Sequence, residues 1–104
     1  MAVNFSRGEI VLVKYSFGIH PAYVIYDNGD KDFVVCMITS NRRNELEEIE
    51  IPAGEGNIKN TSYIRTHKIA SISKIAVNGI LGKVSGSFAV EVEKKLTSWL
   101  NLTQ

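Results

Sequence analysis

His20 and His67 are the only two imidazoles in a chain of 104 residues. Histidine is the side chain best suited to proton transfer near neutral pH, because its unperturbed pKa is about 6.5. Arginine supplies the complementary chemistry, a planar fork for phosphate and a flat face that stacks on bases. Asn41-Arg42-Arg43 follows directly on an apolar run, residues 33–39, and Ser40. A loop with two guanidinium groups and an amide beside a strand end is a candidate nucleic-acid contact, or a solvated loop. Taken alone, His20 before Pro21 reads as a turn residue and His67 as a bend residue. Two histidines 47 positions apart with no flanking carboxylate cluster make no metal motif. Cys36, the single cysteine, lies inside the apolar run and reads as a buried inert thiol. Pro52-Ala53-Gly54-Glu55-Gly56 lacks the Lys and Ser/Thr of a phosphate-binding loop and reads as a turn. No metal and no cofactor are expected.

The formal net charge is only +1, but its distribution is uneven. Glu45, Glu47, Glu48, Glu50 and Glu55 fall in one stretch without Lys or Arg, which leaves 12 basic against 6 acidic residues elsewhere. Two outcomes are open. Folding segregates the charges and leaves a basic face for a phosphate backbone, or the glutamates form a solvated acidic strand among scattered lysines. The composition, 44% hydrophobic and 22% charged, is that of a globular chain long enough for one domain, residues 1–104, with a genuine core. No apolar run approaches the roughly 18 residues of a membrane span, and no export signal is visible at the N-terminus, so a cytoplasmic protein is expected.

The candidate residues need elements to hold them. Residues 9–15 are β-branched and apolar and read as a strand; residues 22–26 read as a second, opened by Pro21. Asp27-Asn28-Gly29-Asp30 is a hairpin turn. Residues 33–39 form a central strand. Residues 47–51 alternate, with Ile49 and Ile51 inward. Residues 62–65 read as a short strand and residues 68–72 as another, separated by a bend near Thr66-His67. Phe88, Val92, Leu96 and Trp99 or Leu100 then recur at helical spacing, with Ser85 or Ser87 as N-cap, Glu91 and Lys95 as an i,i+4 pair, and Trp99 as an anchor. The fold class is mainly β with a C-terminal α-helix, a small barrel or strongly curled sheet. Tyr15, Phe17, Tyr23 and Tyr26 could stack bases, although alternation forbids Tyr23 and Tyr26 from sharing one face of a regular strand.

The order of these pieces resembles the MazF/PemK (Kid) toxins of bacterial toxin–antitoxin systems. Arg7-Gly8-Glu9-Ile10-Val11-Leu12-Val13 is similar to that family's opening strand. His20-Pro21-Ala22-Tyr23-Val24-Ile25 is similar to its second. Met37-Ile38-Thr39-Ser40 is similar to a third strand end, and Ser62-Tyr63-Ile64-Arg65-Thr66-His67-Lys68-Ile69-Ala70-Ser71-Ile72 to a later segment. Gly82-Lys83-Val84-Ser85 and a helix to Leu102 resemble the family's close.

The resemblance implies an SH3-like (PemK/MazF/CcdB-type) barrel, a homodimer, metal-free cleavage of single-stranded RNA, and inhibition by a cognate antitoxin. It also exposes departures. The family's catalytic arginine is His20 here, its Arg-x-Asp pair is Arg65 and His67, and the connection Ser16-Phe17-Gly18-Ile19 is shorter than the family's mobile loop. Metal-free cleavage uses the ribose 2′-hydroxyl as nucleophile on the adjacent phosphate, so the protein must take one proton, give another and stabilise the non-bridging oxygens. The expected catalytic set is His20 and His67 as the acid–base pair, with Arg65 and Thr39 on the phosphate. Ser40, Asn41, Arg42 and Arg43 are the expected RNA contacts. The alternative is a non-catalytic RNA- or protein-binding module on the same barrel.

Overall fold

The computed structural model describes residues 4–15 and 17–100. Its elements are β1 (Glu9–Tyr15), β2 (Gly18–Tyr26), β3 (Asp32–Thr39), β4 (Glu48–Ile51), β5 (Ser62–Ser73), β6 (Val77–Lys83) and α1 (Gly86–Leu100), with short 3₁₀ turns at Glu55–Asn57 and Lys74–Ala76. The strands form one antiparallel sheet in the order β4-β5-β3-β2-β1-β6. β3 is interior, as its apolar run predicts. β2 begins four residues earlier than expected, at Gly18. Pro21 is therefore within the strand, opposite Leu12 but past the last β2–β3 pair, Ala22 with Met37, so β3 asks no donor of it.

The two strands expected at 62–65 and 68–72 are one strand with a bulge. Arg65 pairs with Met37, whereas Cys36, the neighbouring residue of β3, pairs with Ile69. Thr66, His67 and Lys68 are left over. An odd number of extra residues reverses the strand's alternation, so Arg65 and Ala70 share the face of Met37 and Val35. The fully buried Thr66 holds the bulge. Its hydroxyl donates to the Glu47 carbonyl (2.6 Å) and accepts from the Trp99 indole N–H (2.9 Å).

Side chains on the two faces build two cores. Ile10, Tyr23, Cys36, Ile38, Ile51, Ile64 and Val92 of α1 fill one, and Phe5, Val11, Val13, Ala22, Val24, Phe33 and Val35 the other. Phe88 and Leu96 pack beside Val92, as the helical spacing predicts. Ser85 is the N-cap, accepting from the Phe88 amide (3.3 Å). Glu91 pairs with Lys94 (3.7 Å) rather than with the expected Lys95. Residues three apart are helix neighbours as much as those four apart, and Lys95 is partly buried. Leu102 lies outside the described residues. No helix among them is long and apolar enough to cross a membrane.

β6 was not expected, because VNGILGK carries two glycines and little alternation. It is an edge strand whose pairing to β1 shifts register twice. The turn at Glu55–Asn57 crosses to it from the other edge of the sheet, and Asn57 Nδ2 donates to the Leu81 carbonyl (2.9 Å). Backbone meets backbone there. A Cβ on Gly82 would stand 2.6 Å from Asn57 Nδ2 and 2.7 Å from the Gly56 carbonyl oxygen. Gly82→Ala should therefore destabilise the fold by roughly 1–3 kcal/mol, read as a fall of several degrees in thermal midpoint.

The hairpin between β2 and β3 is fixed by Asp27, whose side chain is fully buried. It accepts from the amides of Phe5 (2.7 Å) and Gly29 (2.8 Å) and lies 3.0 Å from Lys74 Nζ. Burial opposes its charge, but the two amides and the ammonium outweigh it and hold the carboxyl below its ordinary range. A carboxyl lowered on folding stabilises the native state above its unfolded pKa, about 3.9, and loses that contribution as pH falls through the folded value. Asp27→Asn should lower stability at pH 7 and flatten the acid limb below about pH 4, measured by urea unfolding across pH.

Candidate functional site

A cavity of about 590 Å³ opens on the sheet face that carries the second core. Tyr15, Phe17, Gly18, His20, Met37, Ile38, Thr39, Arg43, Arg65 and Lys68 line it. Pairing explains the grouping. β1 and β2 stay in register to Tyr15 opposite Gly18, which leaves only residues 16 and 17 between the strands. Tyr15 and His20 are thereby brought edge to face, with ring centroids 6.3 Å apart and an interplanar angle of 81°. Phe17 is fully exposed at the rim. β3 contributes Met37 to the floor and Thr39 at its end. The Thr39 hydroxyl oxygen accepts from the Asn41 amide (3.1 Å), which fixes the side chain while its own proton can still be donated outward. β5 contributes Arg65 and, through the bulge, Lys68.

His20, Thr39 and Arg65 of the expected catalytic set thus share one cavity, with Arg43 of the expected RNA contacts. His67 does not line it. It stands beside Arg65, with Nε2 3.5 Å from Glu45 Oε2 and Nδ1 3.8 Å from Glu47 Oε1. Ser40, Asn41 and Arg42 are exposed in the adjoining loop but lie outside the lining. Of the aromatic residues, Tyr15 and Phe17 face the cavity, Tyr23 is core, and Tyr26 is exposed elsewhere beside Asn28 and Asp32.

Three glutamates of the acidic stretch, Glu45, Glu48 and Glu55, take hydrogen-bond partners close by. Glu48 accepts from the amides of Arg43 (2.8 Å) and Asn44 (3.2 Å), curling the loop after β3 with Asn44 at a φ of 56°. Asparagine tolerates that left-handed conformation better than most residues. The curl brings Glu45 onto Arg65, where its two oxygens lie 3.1 Å from Nε and 3.1 Å from Nη2. Arg65 holds the Glu45 carboxyl below its ordinary range, against the opposing effect of burial and with help from His67 and Arg43. Glu55 binds the amide of Ser85 at the start of α1. These glutamates are used locally, so the cavity keeps the cations Arg43 and Lys68 beside the Arg65–Glu45 pair. Glu45 and Lys68 were both missed from the sequence. An ion pair 20 positions apart leaves no local signal, and Lys68 reads as an ordinary strand residue until the bulge is known. Glu45 and Glu47 stand at opposite nitrogens of His67, so the three cannot close around one metal ion.

The chain matches the PemK-like, MazF-like toxins of type II toxin–antitoxin systems over residues 6–100. It belongs to that family. Solved MazF-like structures share the fold. A mycobacterial endoribonuclease superposes with a TM-score of 0.82 at 18% identity, covering 100% of this chain and 98% of that one. A mycobacterial endoribonuclease in complex with its cognate antitoxin gives 0.80 at 20% identity, covering 94% and 96%. A MazE–MazF complex from Deinococcus radiodurans gives 0.80 at 21% identity, covering 97% and 99%. No curated protein is significantly similar in sequence. The six-stranded sheet with a terminal helix is thus the MazF-like architecture expected.

Cys36 takes no part in this site. It is fully buried, and burial pushes its thiol up to about 12. A thiol-reactive disulfide reagent at pH 8 should leave it unmodified in the native protein and label it within minutes after unfolding.

Proposed function

We propose that this MazF-like toxin is an endoribonuclease that cleaves single-stranded RNA by attack of a ribose 2′-hydroxyl on the adjacent phosphate. The observation that carries the reading is the grouping of His20, Thr39 and Arg65 in one open cavity that also holds Arg43 and Lys68. Cations bind the phosphodiester, and two exposed aromatic rings beside them suit the sequence-tolerant stacking of unpaired bases. The 2′-oxygen forms a new bond to phosphorus and the bond to the 5′-oxygen breaks, leaving a cyclic phosphate and a free 5′-hydroxyl. One proton leaves the nucleophile and one reaches the departing oxygen. His20 and His67 are the groups assigned to those two transfers, with Arg65 and the Thr39 hydroxyl on the non-bridging oxygens. Ser40, Asn41 and Arg42 extend the RNA path along the loop beyond Arg43. A homodimer and restraint by an antitoxin belong to the same proposal; the solved MazE–MazF relative is consistent with the second.

A second reading, an RNA-binding module without cleavage, is favoured by one observation: His67 stands behind the Arg65–Glu45 pair, outside the cavity lining. One assay separates the two. His20→Ala and His67→Ala, tested separately on a mixed RNA substrate, should each cut the cleavage rate about 100-fold or more while binding persists. Full cleavage by both variants overturns the acid–base assignment. Binding without cleavage by the native chain selects the module.

A further inference from the structure

Glu45 has no part in the proton transfers or phosphate contacts assigned to the RNA reaction, yet it makes the closest charged contact at the cavity. Its carboxylate takes the side edge of the Arg65 guanidinium, Nε and Nη2, at 3.1 Å each. A guanidinium has a second bidentate edge, Nη1 with Nη2. Nη1 makes no hydrogen bond among the described residues. Oε2 of the same carboxylate is also 3.5 Å from His67 Nε2, so one anion stands against both groups. The backbone delivers it there: Glu48 binds the amides of Arg43 and Asn44 and turns the loop back on β5.

We propose that Glu45 is a positioning residue that clamps Arg65 by its side edge and so presents the other edge of the guanidinium to an RNA phosphodiester. The proposal rests on the RNA reading and adds to it a residue outside the reacting set. A competing role, in which Glu45 is an internal anion that the phosphate must displace, requires substrate to take the side edge although a second edge is open. The two roles predict opposite signs. Glu45→Asp keeps the charge but is one methylene too short to span both nitrogens; Glu45→Gln removes the charge. Both variants are tested for binding of a mixed-sequence 2′-O-methyl oligonucleotide, which cannot be cleaved, in the native background and with Arg65→Lys.

Glu45→Asp and Glu45→Gln should each weaken binding about three- to tenfold, the cost of ordering one long side chain during association. With Lys at position 65 there is no fork to clamp, so the same changes should have no further effect. Unchanged or tighter binding by the two variants overturns the positioning role. An equal loss in both backgrounds also overturns it, because that is the signature of a purely structural contribution. A native chain that neither binds this probe nor cleaves RNA sinks the RNA reading, and the positioning role with it. Native binding that survives both Glu45 changes sinks the positioning role alone.

Discussion

Thr66 is a small polar side chain with no access to solvent, and the cavity depends on it. Its hydroxyl is satisfied on both sides, by the Glu47 carbonyl and the Trp99 indole. Those contacts tie the loop before β4, the middle of β5 and the end of α1 to one point. They also hold three residues of β5 out of the β3 ladder. Without that offset, alternation would place Arg65 and Ala70 on opposite faces of the sheet. With it, β5 serves the buried cores with Ile64 and Ala70 and still turns Arg65 toward the cavity. The helix therefore acts on the site at a distance. Trp99 does not line the cavity, but it fixes the phase of the strand that supplies two of its cations.

The electrostatics follow from the same loop geometry. A net charge near zero says little when three of the five clustered glutamates each take a partner of their own. Glu48 binds backbone amides, Glu55 binds the start of α1, and Glu45 is matched to Arg65. Each removes negative charge from the open surface by giving it a nearby partner, and what remains at the cavity is cationic. The Arg65–Glu45 pair is only partly exposed, with side chains at 18% and 30%. It is shielded from salt better than a fully solvated pair, and its bidentate form adds geometric definition that a single contact lacks.

Much of this was legible in the sequence. The strand at 9–15, the apolar central strand, the Asn-Gly hairpin and the stripe Phe88–Val92–Leu96 follow from alternation, turn chemistry and helical spacing, and the structure agrees. The motif match located His20, Thr39 and Arg65, which no spacing argument could have brought together. What escaped notice did so for physical reasons. The polar pair Thr66-His67 looks like a break between two strands because a bulge and a loop share the same composition. β6 was hidden because it is short of alternation and its Gly82 serves a close backbone contact rather than a side-chain pattern. The roles of the glutamates depend on partners up to 30 positions away, and a charge count cannot anticipate those.

The first strand lies between β2 and the last strand, so residues 9–13 find half of their ladder in residues 77–83. During synthesis on the ribosome, β1, β2 and β3 emerge as a meander that can pair early. Its outer edge then stays open until residues 77–83 have been made. Closing so long a loop is entropically slow, and an unpaired edge invites pairing with another nascent molecule. The seam that completes the sheet thus waits for residues 77–83, and a translation product cut short before them would be left with an exposed β1 edge.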